Sequence, residues 1–152
     1  MAIAIKVALG ITVAAGIAAV AYAQTPPADR AIKFRQGILN AQGWNMGVMG
    51  AMVKGDRPYN KEEFLLRATN LEKLSTMAWE GFVPGSDTGA PTKAKPEIWT
   101  NMPKFKQHAD KLIADVPKLV AAAQVGTLDA VKGPYGDVGK DCTACHDDFR
   151  SK

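Results

Sequence analysis

The sequence predicts an all-α protein, an antiparallel up-down-up-down bundle of four helices. Apolar residues recur at spacings of three, four and seven through four segments of about 15–25 residues. No segment alternates apolar and polar residues as a half-buried strand does, and no internal repeat is present. Short turns separate most of the segments, which makes sequence neighbours antiparallel neighbours in space.

Residues 1–23 stand apart from this fold. Lys6 is their only charge, Val7–Ala23 is nearly all Ala, Val, Ile, Leu and Gly, and the stretch closes as Ala21-Tyr22-Ala23 before Gln24. That is the pattern of a secretory signal peptide cut after Ala23. An uncleaved membrane anchor is the alternative; the apolar run is about 17 residues, at the short limit for a span, and the small-residue ending favours cleavage. Residues 24–152 then form one domain.

Pro26-Pro27 leads into the first helix, from Ala28 to about Lys54, where Ile32, Leu39, Trp44, Met46, Met49 and Val53 sit among small residues. Its glycines at 37, 43, 47 and 50 lower helix propensity. They also permit close approach of another helix or of a flat cofactor. Gly55-Asp56-Arg57-Pro58 is a turn. Asn60 is placed to cap the second helix, with Glu62 and Glu63 facing its positive end. That helix runs to about Trp79, with Phe64, Leu65, Ala68, Leu71, Leu74 and Ala78 as its apolar stripe. Residues 81–97, rich in Gly, Pro, Ser and Thr, form a long loop, and loops of this kind often carry function.

A third helix is expected from Pro96-Glu97 to about Gln124, with a kink or break at Pro117. Thr127 caps a fourth segment, which Gly133-Pro134 is expected to interrupt. It resumes near Tyr135 and runs to the end of the chain.

The formal net charge is +4, and basic residues alternate with acidic ones, as in Lys61-Glu62-Glu63. Nothing in this distribution supports nucleic-acid binding. A docking preference for an acidic partner is compatible with the charge, as is a plain mixed surface.

The chemistry is concentrated in Cys142-Thr143-Ala144-Cys145-His146. On a helix, cysteines three apart share one side about a turn apart. They can therefore form thioethers with the two vinyl groups on one edge of a haem, and the following histidine projects an imidazole toward the iron. C-x-x-C-H therefore reads as a covalent haem c site with His146 as axial ligand. A zinc site needs further ligands, and His108 is the only spare histidine. A redox C-x-x-C usually follows a strand, and a disulfide across three helical residues is poorly placed. Export also fits covalent haem. The bundle is thus expected to enclose one covalently bound haem.

Other residues extend the pattern. These are Phe34-Arg35-Gln36, Val53-Lys54-Gly55 before Pro58-Tyr59, Pro96-Glu97-Ile98-Trp99, and Tyr135-Gly136-Asp137-Val138-Gly139 ahead of the motif. His146-Asp147-Asp148-Phe149-Arg150 closes it. Together they resemble the cytochromes c′, bacterial class II c-type cytochromes that carry C-x-x-C-H on the last helix, over essentially all of residues 28–152. The resemblance implies haem contacts from Arg35 and Gln36, plausible for propionates because guanidinium binds carboxylate bidentately. It implies that Arg150 lies beside the proximal histidine and that Thr92 lies in the loop crossing the haem edge. Phe82 and Trp79 are candidates to line the pocket.

Low-spin relatives place a methionine three residues after the position of Gln36 as sixth iron ligand, whereas high-spin relatives place an apolar residue there. This chain has Leu39, which implies a five-coordinate iron with an open, apolar distal face. Met46, Met49, Met52, Met77 and Met102 read as core fillers. His108 reads as a rim histidine rather than a second ligand.

Three functions compete. A periplasmic electron carrier is the nominal one, passing electrons to or from small redox proteins. Binding or detoxification of nitric oxide or carbon monoxide is the alternative. A peroxidase usually needs a distal acid–base pair, which Leu39 argues against, so the chain is expected not to be an enzyme. The resemblance further implies a homodimer through the first two helices. Gly43, Gly47, Gly50 and Ala51 suit such a contact, or equally the packing inside the bundle.

Overall fold

The computed structural model describes residues 27–152. The signal-peptide reading of residues 1–23 lies outside the described residues. Five helices follow in order: α1 (Ala28–Lys54), α2 (Lys61–Met77), the single turn α3 (Glu97–Thr100), α4 (Met102–Val125) and α5 (Leu128–Phe149). A 3-10 turn, Ala78–Gly81, extends α2. Helix α1 packs on α2, α2 on α4 and α4 on α5, and α5 returns to α1. The four long helices are the expected antiparallel bundle.

Caps set the helix starts. Asn60 Oδ1 accepts from Glu63 N at 2.8 Å, and Thr127 Oγ1 accepts from Ala130 N at 3.3 Å. Gly55 and Gly126 close α1 and α4 in the left-handed region, at φ 82° and 87°, which a residue without Cβ adopts freely.

The bundle has two unlike ends. At one, Met49, Met52, Phe64, Ala68, Leu71, Val116, Leu119, Ala123, Val131 and Val138 form a dry core. These positions come from the C-terminal half of α1, the N-terminal half of α2, the C-terminal half of α4 and the N-terminal half of α5, as alternating direction requires. Tyr135 closes this end. Its hydroxyl donates to Met46 O at 3.1 Å and lies against Gly50, where a Cβ would collide with it. Gly50 therefore serves packing inside the bundle. Gly37, Gly43 and Gly47 have open space where a Cβ would stand.

Several expectations are corrected. The third helix is two pieces, α3 and α4, separated at Asn101, whose carbonyl accepts from Phe105 N at 3.1 Å to start the longer one. Neither proline interrupts its helix: α4 runs through Pro117 and α5 through Pro134. The carbonyls they free belong to Ile113 and Ala130, both half-buried residues, so water has access to this side of each helix. Trp44 is not a core residue but 66% exposed. The inward register of α1 runs through Ile32, Arg35, Gln42, Asn45, Met49 and Met52, and Trp44 falls outside it. Met77 is likewise exposed at the end of α2 and fills no core.

Candidate functional site

At the other end of the bundle α1, α2, α4 and α5 surround a cavity of about 590 Å³, within the size range of small-molecule and cofactor sites. Its apolar wall is Leu39, Leu71, Trp79, Phe82, Ile98, Phe105 and Leu112. The aromatic residues pack on one another: Phe82 and Phe105 have ring centroids 4.7 Å apart, and Phe105 meets Phe149 edge-on at 5.4 Å.

Cys142, Cys145 and His146 line this cavity from α5. The cysteines are not joined to each other. Burial raises the pKa of both thiols; Cys145 is pushed up to about 11, with Cys142 and Asp148 adding to the burial effect. Both thiols therefore stay neutral in an apolar wall. Burial first, and then the charge of Arg150, lowers the pKa of His146. Its imidazole is thus neutral near pH 7, the form that binds a metal. Two unpaired thiols and one neutral imidazole lining one largely apolar cavity are the donor set a thioether-linked haem needs.

Leu39 faces the same space from α1. Phe82, Thr92, Gln36, Arg35 and Arg150 also line it, so all nine sequence-predicted site residues come together. Arg35 is engaged more deeply than the sequence suggests. It is 1% exposed. Nη1 donates to Gly81 O at 2.9 Å and Ser86 Oγ at 2.8 Å, and Nη2 donates to Ser86 O at 2.8 Å and Thr92 Oγ1 at 3.2 Å. The guanidinium also lies over the rings of Phe82 and Trp99. Gln36 Nε2 donates to Pro91 O at 3.0 Å. Both side chains therefore hold the loop after α2 against α1, leaving Arg35 Nε–H as the guanidinium donor not used in this way. Burial lowers the Arg35 pKa, with Asp87 opposing it. No carboxylate lies within ion-pair distance of it among the described residues.

The end of α5 is strapped by the same loop. Ala94 and Arg150 form an antiparallel bridge, Lys95 N donates to Phe149 O at 3.0 Å, and Ser151 N donates to Lys93 O at 2.8 Å. Lys95 Nζ donates to the carbonyls of Asp147 and Asp148, and a cation there suits the helix's negative end. Arg150 N donates to His146 O at 3.0 Å. The histidine's backbone is thus fixed by the loop that Arg35 anchors.

Some lining residues carry no site role in the sequence: His108 reads there as a rim histidine, Met46 as a core filler, and Asp141 goes unnamed. His108 lines the cavity, with Nε2 paired to Asp148 Oδ2 at 2.9 Å. Met46 borders it at the closed side, and Asp141 forms part of its wall. For Asp141 a signal existed, since it stands three residues after buried Val138 in the inward register of α5.

Comparison with known proteins agrees with this geometry. The sequence profile of the family described as Cytochrome C′ matches residues 30–150. Cytochrome c′ of Alcaligenes xylosoxydans xylosoxydans is 38% identical over 124 residues, 82% of this chain and 95% of that protein. The crystal structure of cytochrome c′ from Rubrivivax gelatinosus superposes with a TM-score of 0.80 at 33% identity, covering 84% of this chain and 100% of that one. A nitric oxide complex of a leucine-to-alanine variant of cytochrome c′ from Alcaligenes xylosoxidans superposes with a TM-score of 0.77 at 36% identity, covering 84% and 98%.

Proposed function

Because the chain belongs to the cytochrome c′ family, we propose that it is an exported high-spin cytochrome whose haem c is joined through Cys142 and Cys145 and ligated by His146. One observation carries this reading: across a single cavity, a neutral imidazole on α5 is matched by the hydrocarbon side chain of Leu39 on α1. When bound, haem c supplies one-electron chemistry at iron and affinity for diatomic gases.

The chain's own residues fix how that chemistry is used. The thiols hold the cofactor edge, and the strapped end of α5 holds His146 in place. Leu39 denies the iron a second protein ligand and keeps water from an apolar face. The buried charge of Arg35, without a carboxylate partner, favours an anionic group of the cofactor close by, so a propionate contact through Nε–H is part of the proposal. Gln36 and Thr92 border the same edge.

Electron transfer with small periplasmic redox proteins is the nominal role. Binding of nitric oxide or carbon monoxide at the Leu39 face is the second reading. It is favoured by the apolar guard and by the nitric oxide complex formed by the leucine-to-alanine variant of the Alcaligenes relative. The character of residues 1–23 supports export to the periplasm. Among the described residues no helix is long and apolar enough to cross a membrane. A homodimer through α1 and α2 is part of the proposal, supported by exposed Trp44 and Leu66 on those helices.

The test is a nitric oxide and carbon monoxide titration of the purified mature protein, with its mass measured in parallel. Expected are a mass that includes one haem and a spectrum that changes with both gases. A mass equal to that of the polypeptide alone overturns the assignment. A haem spectrum that ignores both gases removes the gas reading and leaves the carrier.

A further inference from the structure

Asp141 immediately precedes the first cysteine, yet it is the acidic side chain most deeply held at the cavity. Only 4% of its side chain is exposed. It lines the large cavity and also a smaller surface recess on the far side, formed with Lys111, Asp115, Lys118, Pro134, Asp137 and Lys140. It is thus the wall between them.

Its two oxygens are treated unequally. Oδ1 pairs with Lys111 Nζ at 2.8 Å, whereas Oδ2 is buried with no hydrogen-bond donor. Lys111 is 61% exposed and also pairs with Asp115 at 2.6 Å; Lys118 pairs with Asp115 at 2.7 Å. The cluster has no net charge, but it is polarised. Its negative end stands in the cavity wall beside Cys142, and its positive end stands in water.

Resting on the haem reading above, we propose that Asp141 is a positioning residue for electron transfer, a fixed negative charge that lowers the reduction potential of the cofactor by favouring its more positive, ferric state, with Lys111 as its shield. The physical reason is dielectric. A charge in a low-dielectric wall acts across the cavity, whereas the field of an exposed ammonium is largely cancelled by water and salt. A half-satisfied carboxylate keeps more of its field than one fully bonded to donors. The two members of the pair therefore have unequal and opposite influence.

The charged groups facing Asp141 are Lys111 and Asp115 of α4, with Lys118 behind them. Asp137 and Lys140 of α5 border the recess. Across the cavity, α1 presents Gln42, Gly43 and Met46. The charged lining residue of α1 is the buried Arg35, which every variant below keeps, so its field is common to all of them.

Spectroelectrochemical titration of the haem-loaded protein tests this with Asp141→Asn, Lys111→Met and the double variant. Asp141→Asn raises the midpoint, changing the ferrous-to-ferric ratio at fixed potential by about tenfold, about 59 mV for a one-electron couple. Lys111→Met lowers it by less, and the double variant lies between. Structural loosening would move both single variants the same way, so shifts of equal sign overturn the proposal, as does no shift in either. If Asp141→Asn does not load haem, Lys111→Met alone decides: a lowered midpoint supports the charge and a raised or unchanged one overturns it. Absence of thioether-linked haem from the wild type sinks the functional reading instead, and this inference with it.

Discussion

At the residue scale, the chemistry turns on which side chain faces His146. Leu39 is a hydrocarbon on the cavity wall, and a gas reaching the iron must move it aside. Displacing one buried leucine face costs on the order of 1.5 kcal/mol, so Leu39→Ala should raise nitric oxide affinity by about tenfold. Stopped-flow binding measures this, and an unchanged affinity would mean that Leu39 guards nothing. Leu39→Met should convert the spectrum to low spin by supplying a thioether ligand. Arg35 acts through the loop rather than through the iron. Its hydrogen bonds fasten Gly81, Ser86 and Thr92, and a bond from a charged donor contributes about 1.5–3 kcal/mol. Desolvation of the guanidinium offsets part of this. Arg35→Met should therefore cost at least about 2 kcal/mol and speed amide exchange across residues 82–96, with little change in the amides of residues 128–138.

At the element scale, the seam between α1 and α5 is closed at one end by Tyr135 against Gly50 and held open at the other. Gly50→Ala drives a methyl into the tyrosine hydroxyl and should cost about 1 kcal/mol, an overpacking penalty partly offset by helix propensity. On a Tyr135→Phe background the same change should be neutral or stabilising, and thermal melts of the four proteins measure the cycle. Additive costs would show that the two residues do not meet. Most of these elements were legible in the sequence, because Asn60 and Thr127 announce helix starts and the apolar spacing announces the helices themselves. Pro134 misled because a lost hydrogen bond matters less where the freed carbonyl can reach water. Trp44 misled because size and apolarity were read as burial. The true inward register of α1 passes through Arg35, Gln42 and Asn45; the partners of Arg35 and Gln42 lie far along the chain, Gln42 donating to Leu74 O, while Asn45 donates back to Ala41 O within the helix. The site residues came from the motif and a family resemblance. The loop bonding of Arg35 and Gln36 was invisible because it depends on where residues 81–92 fold back.

At the scale of the whole molecule, the division into a dry end and an open end links stability to function. A cavity of about 590 Å³ walled largely by apolar side chains leaves that surface uncovered, and whatever fills it stabilises the fold in proportion to the apolar area it buries. The bundle is therefore built to be completed by what it encloses. The α4–α5 face adds a pH dependence. Hydrogen bonds from Lys111 and Lys118 hold Asp115 well below the usual carboxylate range, and Asp115 in turn raises Lys111 above the ordinary lysine value. The carboxylate's contribution is present above about pH 4 and lost as pH falls through its folded-state pKa. The lysine's is present below about pH 10 and lost as pH rises through its own. Melting temperatures from acid to alkaline pH should fall at both ends, and Asp115→Asn should flatten both limbs; unchanged limbs would mean the cluster adds nothing to folding.

The central claim is an iron held by one imidazole with only hydrocarbon opposite, and resonance Raman spectroscopy of the reduced protein tests it most directly. The account predicts the marker bands of a five-coordinate, high-spin ferrous haem with a histidine–iron stretch. A six-coordinate, low-spin spectrum, with a second protein ligand in the place of Leu39, would contradict it.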